Sequence, residues 1–139
     1  MLVEEHGIPL SLIVTGANRH DITQFKALLD SIVIARPKAS EEAPQNLCAD
    51  KGYDSKEARQ TSLDLGFTPH IRARGEEQHD KQTIPGYRAR RWVVESCNSW
   101  FNRFRKLLVR FEKKHTNYVA LMCLACAMIA FRKVLIIYG

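Results

Sequence analysis

Short apolar runs containing β-branched residues alternate along this chain with stretches whose apolar residues recur every three or four positions. That alternation predicts an α/β fold. Leu10–Thr15 reads as a strand that stops at Gly16, with Leu2-Val3 as the tail of an earlier one. Asp21 with Gln24 forms a capping-box pattern opening a helix that carries Ile22, Phe25, Leu28, Leu29 and Ile32 on one face. After an exposed loop over 37–44, Asn46–Ala49 reads as a strand ending at Asp50. Asp54 with Glu57 starts a second helix, Gly66 ends it, and Phe67–Ile71 forms a further strand. Residues 72–86, polar and containing Gly75, Pro85 and Gly86, read as a flexible loop able to order on a ligand. Tyr87–Phe111 places Val93, Cys97, Trp100, Phe101, Phe104, Leu108 and Phe111 at helical steps, predicting one long amphipathic helix, and Asn117 caps a last helix running toward Arg132.

Charge is distributed unevenly over these elements. Residues 88–114 hold nine Lys or Arg against two acids, a local balance of +7, while the whole chain carries +6. The remainder is therefore close to neutral, and the cationic segment suits a partner with a phosphate backbone. At 139 residues the chain fits one domain, 1–139, and 45% hydrophobic content with 26% charged residues argues against intrinsic disorder. Cys48, Cys97, Cys123 and Cys126 lack the dense spacing of a disulfide scaffold, and no signal peptide precedes them, so a reducing cytoplasm is the expected home. The Cys123/Cys126 pair sits in the apolar run Tyr118–Phe131 without a second ligand pair, which favours a core role over zinc. That run is 14 residues long before Arg132 and Lys133 interrupt it, short of the roughly 20 needed to cross a bilayer, so a buried helix is expected.

Two acids stand out chemically. Asp50 falls at the carboxyl end of a strand, where open α/β sheets bind ligands, and Glu95 lies within the basic segment. One or two carboxylates with water and substrate phosphates suffice for Mg2+. Each also has an ordinary reading: Asp50 as a turn acid or cap, Glu95 as an intrahelical partner of Arg91. The five histidines show no ligand spacing, and His20 beside Asp21 reads as structural.

Ala49-Asp50-Lys51-Gly52-Tyr53-Asp54-Ser55, followed by Tyr87, Arg91, Val94-Glu95, Trp100 and Arg103-Phe104-Arg105, resembles the two carboxyl-terminal motifs of bacterial insertion-sequence transposases with a DDE catalytic core. Thr15-Gly16-Ala17-Asn18-Arg19-His20-Asp21 also resembles the segment before that family's first core helix, so the likeness spans nearly the whole chain. The resemblance implies an RNase H-like fold, a mixed sheet flanked by helices with a helical carboxyl-terminal end. It implies that Asp50 is the second catalytic aspartate and Glu95 the catalytic glutamate, holding Mg2+ or Mn2+ for attack on a DNA phosphodiester by water and then by a freed 3′-hydroxyl. Tyr87, Arg91 and Arg103 then serve DNA engagement, and Arg103, Arg105, Lys106 and Arg110 are candidates for phosphate contacts, a solvated basic face being the plainer reading of these four. The implied partners are double-stranded transposon ends and further copies on DNA, with no membrane, in a bacterial cytoplasm at the nucleoid.

The family uses three acids, the first on the opening strand of its fold, upstream of anything matching Met1–Gly7. The expectation is thus a partial DDE catalytic domain lacking that strand. Glu4, Glu5 and Asp21 are the only early acids, and Asp21 is better explained as a helix cap. On this reading the isolated chain is inactive and leaves a sheet edge and part of an apolar face bare. Two accounts fit: one half of a transposase whose reading frames are joined by frameshifting, with the other half or an intact transposase as partner, or a decayed remnant. A non-catalytic DNA-binding or oligomerisation remnant is the alternative function. A phosphohydrolase of small substrates is disfavoured, because the basic segment is far longer than one phosphate requires.

Overall fold

The computed structural model describes residues 1–71 and 92–138. The expected loop over 72–86, together with Tyr87 and Arg91, lies outside the described residues. The chain divides into two compact units, Met1–Val14 with Trp92–Gly139, and Thr15–Arg91.

In the unit Thr15–Arg91, β3 (Asn46–Ala49) and β4 (Thr68–Ile71) pair in parallel, in register from Asn46↔Thr68 to Ala49↔Ile71. A parallel pair needs a crossover of a dozen or more residues, which α2 (Lys56–Asp64) supplies by packing on β4. Ser55, not Asp54, caps α2, its hydroxyl accepting from the Ala58 N–H at 3.0 Å. Gly66, at φ +76°, ends the helix in the left-handed conformation as expected. Pro69 is accommodated in β4 because the described sheet has only two strands, leaving an edge where a missing N–H costs no ladder bond.

The first helix departs from its predicted start and end. Asp21–Gln24 is a 3-10 turn with His20 at the N-cap position and no side-chain cap, so Asp21 is the first helical residue and not a cap. α1 (Phe25–Asp30) then stops before Ile32, where a run of three β-branched residues, Ile32-Val33-Ile34, disfavours continuation. Arg36 ties down the following loop. It stacks 4.0 Å from the Phe67 ring centroid and donates to the Leu65 carbonyl at 2.7 Å. Among the described residues of this unit, Phe25, Leu29, Leu47, Ala58, Phe67 and Ile71 are the buried apolar ones.

In the other unit, β1 (Leu2–Val3) and β2 (Pro9–Ser11) form an antiparallel pair, shorter than the expected Leu10–Thr15 strand because the partner contributes only two residues. The described strands make two two-stranded sheets, one antiparallel and one parallel. Glu4 organises the hairpin turn: its Oε1 accepts from the His6 N–H at 2.8 Å and the Ile8 N–H at 2.9 Å, and its Oε2 lies 2.9 Å from His6 Nδ1. Burial pushes the Glu4 carboxyl up, but these bonds and the His6 ring outweigh it and leave the net shift downward.

The predicted long helix over 87–111 breaks in two. α3 (Trp92–Phe101) ends in tight turns, Arg103 N–H to the Trp100 carbonyl and Phe104 N–H to the Phe101 carbonyl, and α4 (Arg105–Leu108) restarts after an extended Phe104. The break lets Phe104 and Leu107 pack on the core of Cys97, Phe101, Ala125 and Ile129, while Leu108 and Phe111, also at helical spacing, stay exposed.

α5 (His115–Tyr138) starts two residues before Asn117, whose side-chain amide donates to Glu112 Oε2 at 3.4 Å instead of capping. Within it, His115–Ile136 is long and apolar enough to cross a membrane by length and composition, and only 11% of its most apolar window is buried. The expectation of a short, buried helix is corrected on both counts. Ala125 and Ile129 face the core, whereas Leu124, Phe131 and Leu135 are exposed. All four cysteines are free thiols, but only Cys97 is fully buried; burial, then the neighbouring Cys126, pushes its pKa up to about 11. Cys123 is exposed, which removes it from the expected core pair.

Gly7 is the residue on which the hairpin is most demanding. It is buried at φ +85°, and a Cβ there would lie 3.1 Å from the Trp100 ring. Gly7→Ala combines a disfavoured backbone with a tight contact to which the Trp100 ring must yield, and is expected to destabilise the chain by about 1–3 kcal/mol, measured by urea unfolding. Gly52→Ala, with no atom within 4 Å of the added carbon, is expected to leave the midpoint near that of the unsubstituted chain.

Candidate functional site

Asp50 leaves β3 in an extended conformation, φ −69° and ψ 158°, and immediately turns the chain into the 3-10 segment Lys51–Tyr53. Its Oδ1 accepts from the Lys51 N–H at 2.7 Å, and its carbonyl accepts from the Tyr53 N–H at 2.9 Å. The ordinary cap role is therefore real, and the carboxylate is nonetheless exposed at the carboxyl end of the parallel pair. Both statements hold at once because a cap bond to the next N–H does not require the carboxylate to be buried.

Tyr53 lies behind this turn, its ring 5.3 Å from the Phe25 centroid. Burial first, and then the charges of Asp21 and Asp50, push its hydroxyl above the usual tyrosine range. Asp21 and Asp50 therefore act on the same phenol. Beyond Tyr53, Asp54 closes the turn and pairs with Arg59 of α2, Nη2 to Oδ1 at 2.7 Å and Nε to Oδ1 at 3.1 Å, and the same Nη2 donates to the Ile71 carbonyl at 2.6 Å. Tyr53 and Arg59 were not singled out by the sequence reading. The available signal was weak, an acid five residues before an arginine at a helix start.

Glu95 sits in the first turn of α3 with an exposed side chain, where the helix dipole favours a carboxylate. Asp50 and Glu95 belong to different units, and each is described within its own. Arg91, the expected ion-pair partner of Glu95, lies outside the described residues, as does Tyr87. Arg103, Arg105, Lys106 and Arg110 are all exposed, and no ion pair among the described residues engages them. Arg110 does stack on Tyr118 at 4.8 Å and donates to the Glu112 carbonyl at 3.3 Å, so it is held more firmly than the other three.

Asp50 offers the hard oxygen donor that Mg2+ or Mn2+ prefers, accessible and at a strand end, and so fits the thin protein shell these ions accept. Among the described residues no three His, Cys, Asp or Glu side chains gather into a ready-made cage. A shallow cavity of about 240 Å³ in the unit containing α3, lined by Leu12, Asn98, Phe101, Asn102 and Met122 among others, includes neither Glu95 nor any of the basic candidates.

Residues 1–130 match the family described as "Transposase DDE domain". Over 133 residues the chain is 35% identical to the "Putative transposase for insertion sequence element IS402" of Burkholderia cepacia, covering 94% of this chain and 61% of that protein. The chain thus spans less than two thirds of that relative's length. No solved structure matches.

The charge coupling around Tyr53 has a direct test. Asp50→Asn removes one of the negative charges that raise the phenol, so the Tyr53 pKa is expected to fall toward its ordinary value. Ring-carbon NMR titration reads it directly; an unmoved Tyr53 would mean that Asp50 does not face it.

Proposed function

Because the chain belongs to the DDE transposase family of insertion sequences, we propose that it works, as part of a transposase, in DNA transposition by metal-dependent strand cleavage and transfer. The observation that carries this reading is the exposed Asp50 carboxylate at the carboxyl end of β3, held by its own turn, inside a chain that matches the family over residues 1–130.

In this reading Asp50 and Glu95 are the catalytic and metal-holding acids. A divalent cation, Mg2+ or Mn2+, would make the attacking oxygen a better nucleophile and stabilise the leaving oxygen of the phosphodiester. The Lys51 N–H bond fixes the Asp50 side chain against the turn, so its carboxylate is oriented before any substrate arrives. Arg103, Arg105 and Lys106, exposed along the end of α3 and through α4, position the duplex through its phosphates, and Arg110 adds a contact braced by Tyr118. Tyr87 and Arg91 join DNA engagement on the strength of the sequence motif alone.

The finer fold belongs to the same proposal. The parallel β3–β4 pair with its α2 crossover and the antiparallel β1–β2 hairpin are the strand types of an RNase H-like mixed sheet, and both units are parts of one DDE catalytic domain, 1–139. The chain's proposed partners are an upstream half or an intact transposase, transposon-end DNA and further copies of the chain, in the bacterial cytoplasm at the nucleoid. The second reading, a DNA-binding or oligomerisation remnant without chemistry, shares the exposed basic side chains but needs nothing of Asp50.

Asp50→Ala separates the two. The catalytic reading predicts lost Mn2+ binding with duplex affinity kept or raised, because a negative charge near the phosphates has been removed. Equal Mn2+ binding by both proteins in calorimetry would leave only the remnant. Duplex binding through six or more phosphates should also weaken by roughly a thousandfold or more between about 50 and 200 mM salt; a flat salt response in a fluorescence-anisotropy titration would sink the DNA-binding part common to both readings.

A further inference from the structure

We propose that Arg59 is a positioning residue for Asp50, an inference that rests on the reading of Asp50 as the metal-holding acid. The reason is topological. Asp50 follows Ala49, which is the register partner of Ile71, and precedes the Lys51–Tyr53 turn that Asp54 closes. Arg59 is bonded to both ends of that path: to Asp54 Oδ1 through Nε and Nη2, and to the Ile71 carbonyl through Nη2. Asp50 is therefore fixed from behind by strand pairing and from ahead by a turn whose far end is tied back, through one guanidinium, to the neighbouring strand.

Without that tie the described backbone bonds of the turn are Tyr53 N–H to the Asp50 carbonyl, Asp54 N–H to the Lys51 carbonyl and Ser55 N–H to the Tyr53 carbonyl, all local in the chain, with the Tyr53 ring against Phe25. A single 3-10 turn is weakly held. The cap bond from Lys51 offers no independent anchor, since it moves with Asp50. Arg suits the task because its planar fork can satisfy a carboxylate and a carbonyl together, which a Lys ammonium on a flexible stem does poorly. The Arg59 side chain is 41% exposed and that of Asp54 33%, so the tie is placed to orient the turn and not to supply core burial. Three of its five N–H donors, that on Nε and the two on Nη2, go to Asp54 and Ile71, which argues for orientation, and duplex affinity distinguishes this from a phosphate contact.

The test uses the 139-residue chain and two NMR readouts: amide exchange at Tyr53 and Asp54, and broadening of the Lys51 and Gly52 amides by Mn2+. Arg59→Ala is expected to speed exchange at both amides by about tenfold or more and to raise the Mn2+ concentration for half-broadening by a similar factor, with exchange at Ala125 and Ile129 unchanged. Arg59→Lys should recover part of both effects, and Asp54→Asn should shift them in the same direction as Arg59→Ala. Should Arg59→Ala fail to fold, Asp54→Asn decides alone. Exchange and Mn2+ response within twofold of the unsubstituted chain would overturn the proposal, as would lost duplex affinity with unchanged exchange, the mark of a phosphate contact. If the unsubstituted chain shows no Mn2+ broadening at Lys51, it is the reading of Asp50 that fails; broadening that Arg59→Ala leaves unaltered removes the positioning role instead.

Discussion

Parallel pairing of Asn46–Ala49 with Thr68–Ile71 is the constraint on which the Thr15–Arg91 unit depends. Two strands running the same way cannot be joined by a hairpin, so the chain must leave β3, form a helix and return. That requirement accounts for the sharp turn at Asp50, the helix that begins at Lys56 and the left-handed Gly66 that sends the chain back into β4. It also puts the carboxyl ends of both strands together, which lets one arginine reach an acid on the outgoing path and a carbonyl on the returning strand.

The other unit is governed by a different economy. Its core is small, built from Cys97, Phe101, Ala125 and Ile129, and the basic segment must pass it without burying a charge. Breaking the helix after Phe101 solves this: Phe104 and Leu107 turn inward while Arg103, Arg105 and Lys106 remain in water. α5 packs one stripe on that core and leaves Leu124, Phe131 and Leu135 exposed, so much of its apolar surface contributes nothing to the described packing. The hairpin is held to α3 by the close approach of Gly7 to Trp100, whose ring also carries Lys133 at 4.5 Å.

Where sequence reasoning missed, a competing local bond had won. Asp54 and Glu57 gave a correct helix but a wrong cap, because Ser55 was one residue better placed and Asp54 was taken by Arg59. Asp21 and Gln24 looked like the same signal, yet a 3-10 turn with no side-chain cap formed instead. Asn117 bonded to Glu112 and not to the start of α5. Periodicity also overran its element, since Leu108 and Phe111 keep the helical spacing of the residues before them although the helix that set the spacing has ended.

The amino-acid sequence by itself determined the α/β class, the Asn46–Ala49 strand with Asp50 at its end, the helix closed by Gly66 and the concentration of charge around Glu95, because each follows from spacing and residue type over a few neighbours. The family could be read from its motifs for the same reason. Tertiary structure alone decided the pairing partners of the strands, the break after Phe101, the burial of Cys97 with the exposure of Cys123, and the tie from Arg59 across to Ile71. Those depend on residues distant in the chain meeting in space, and no local pattern carries that information.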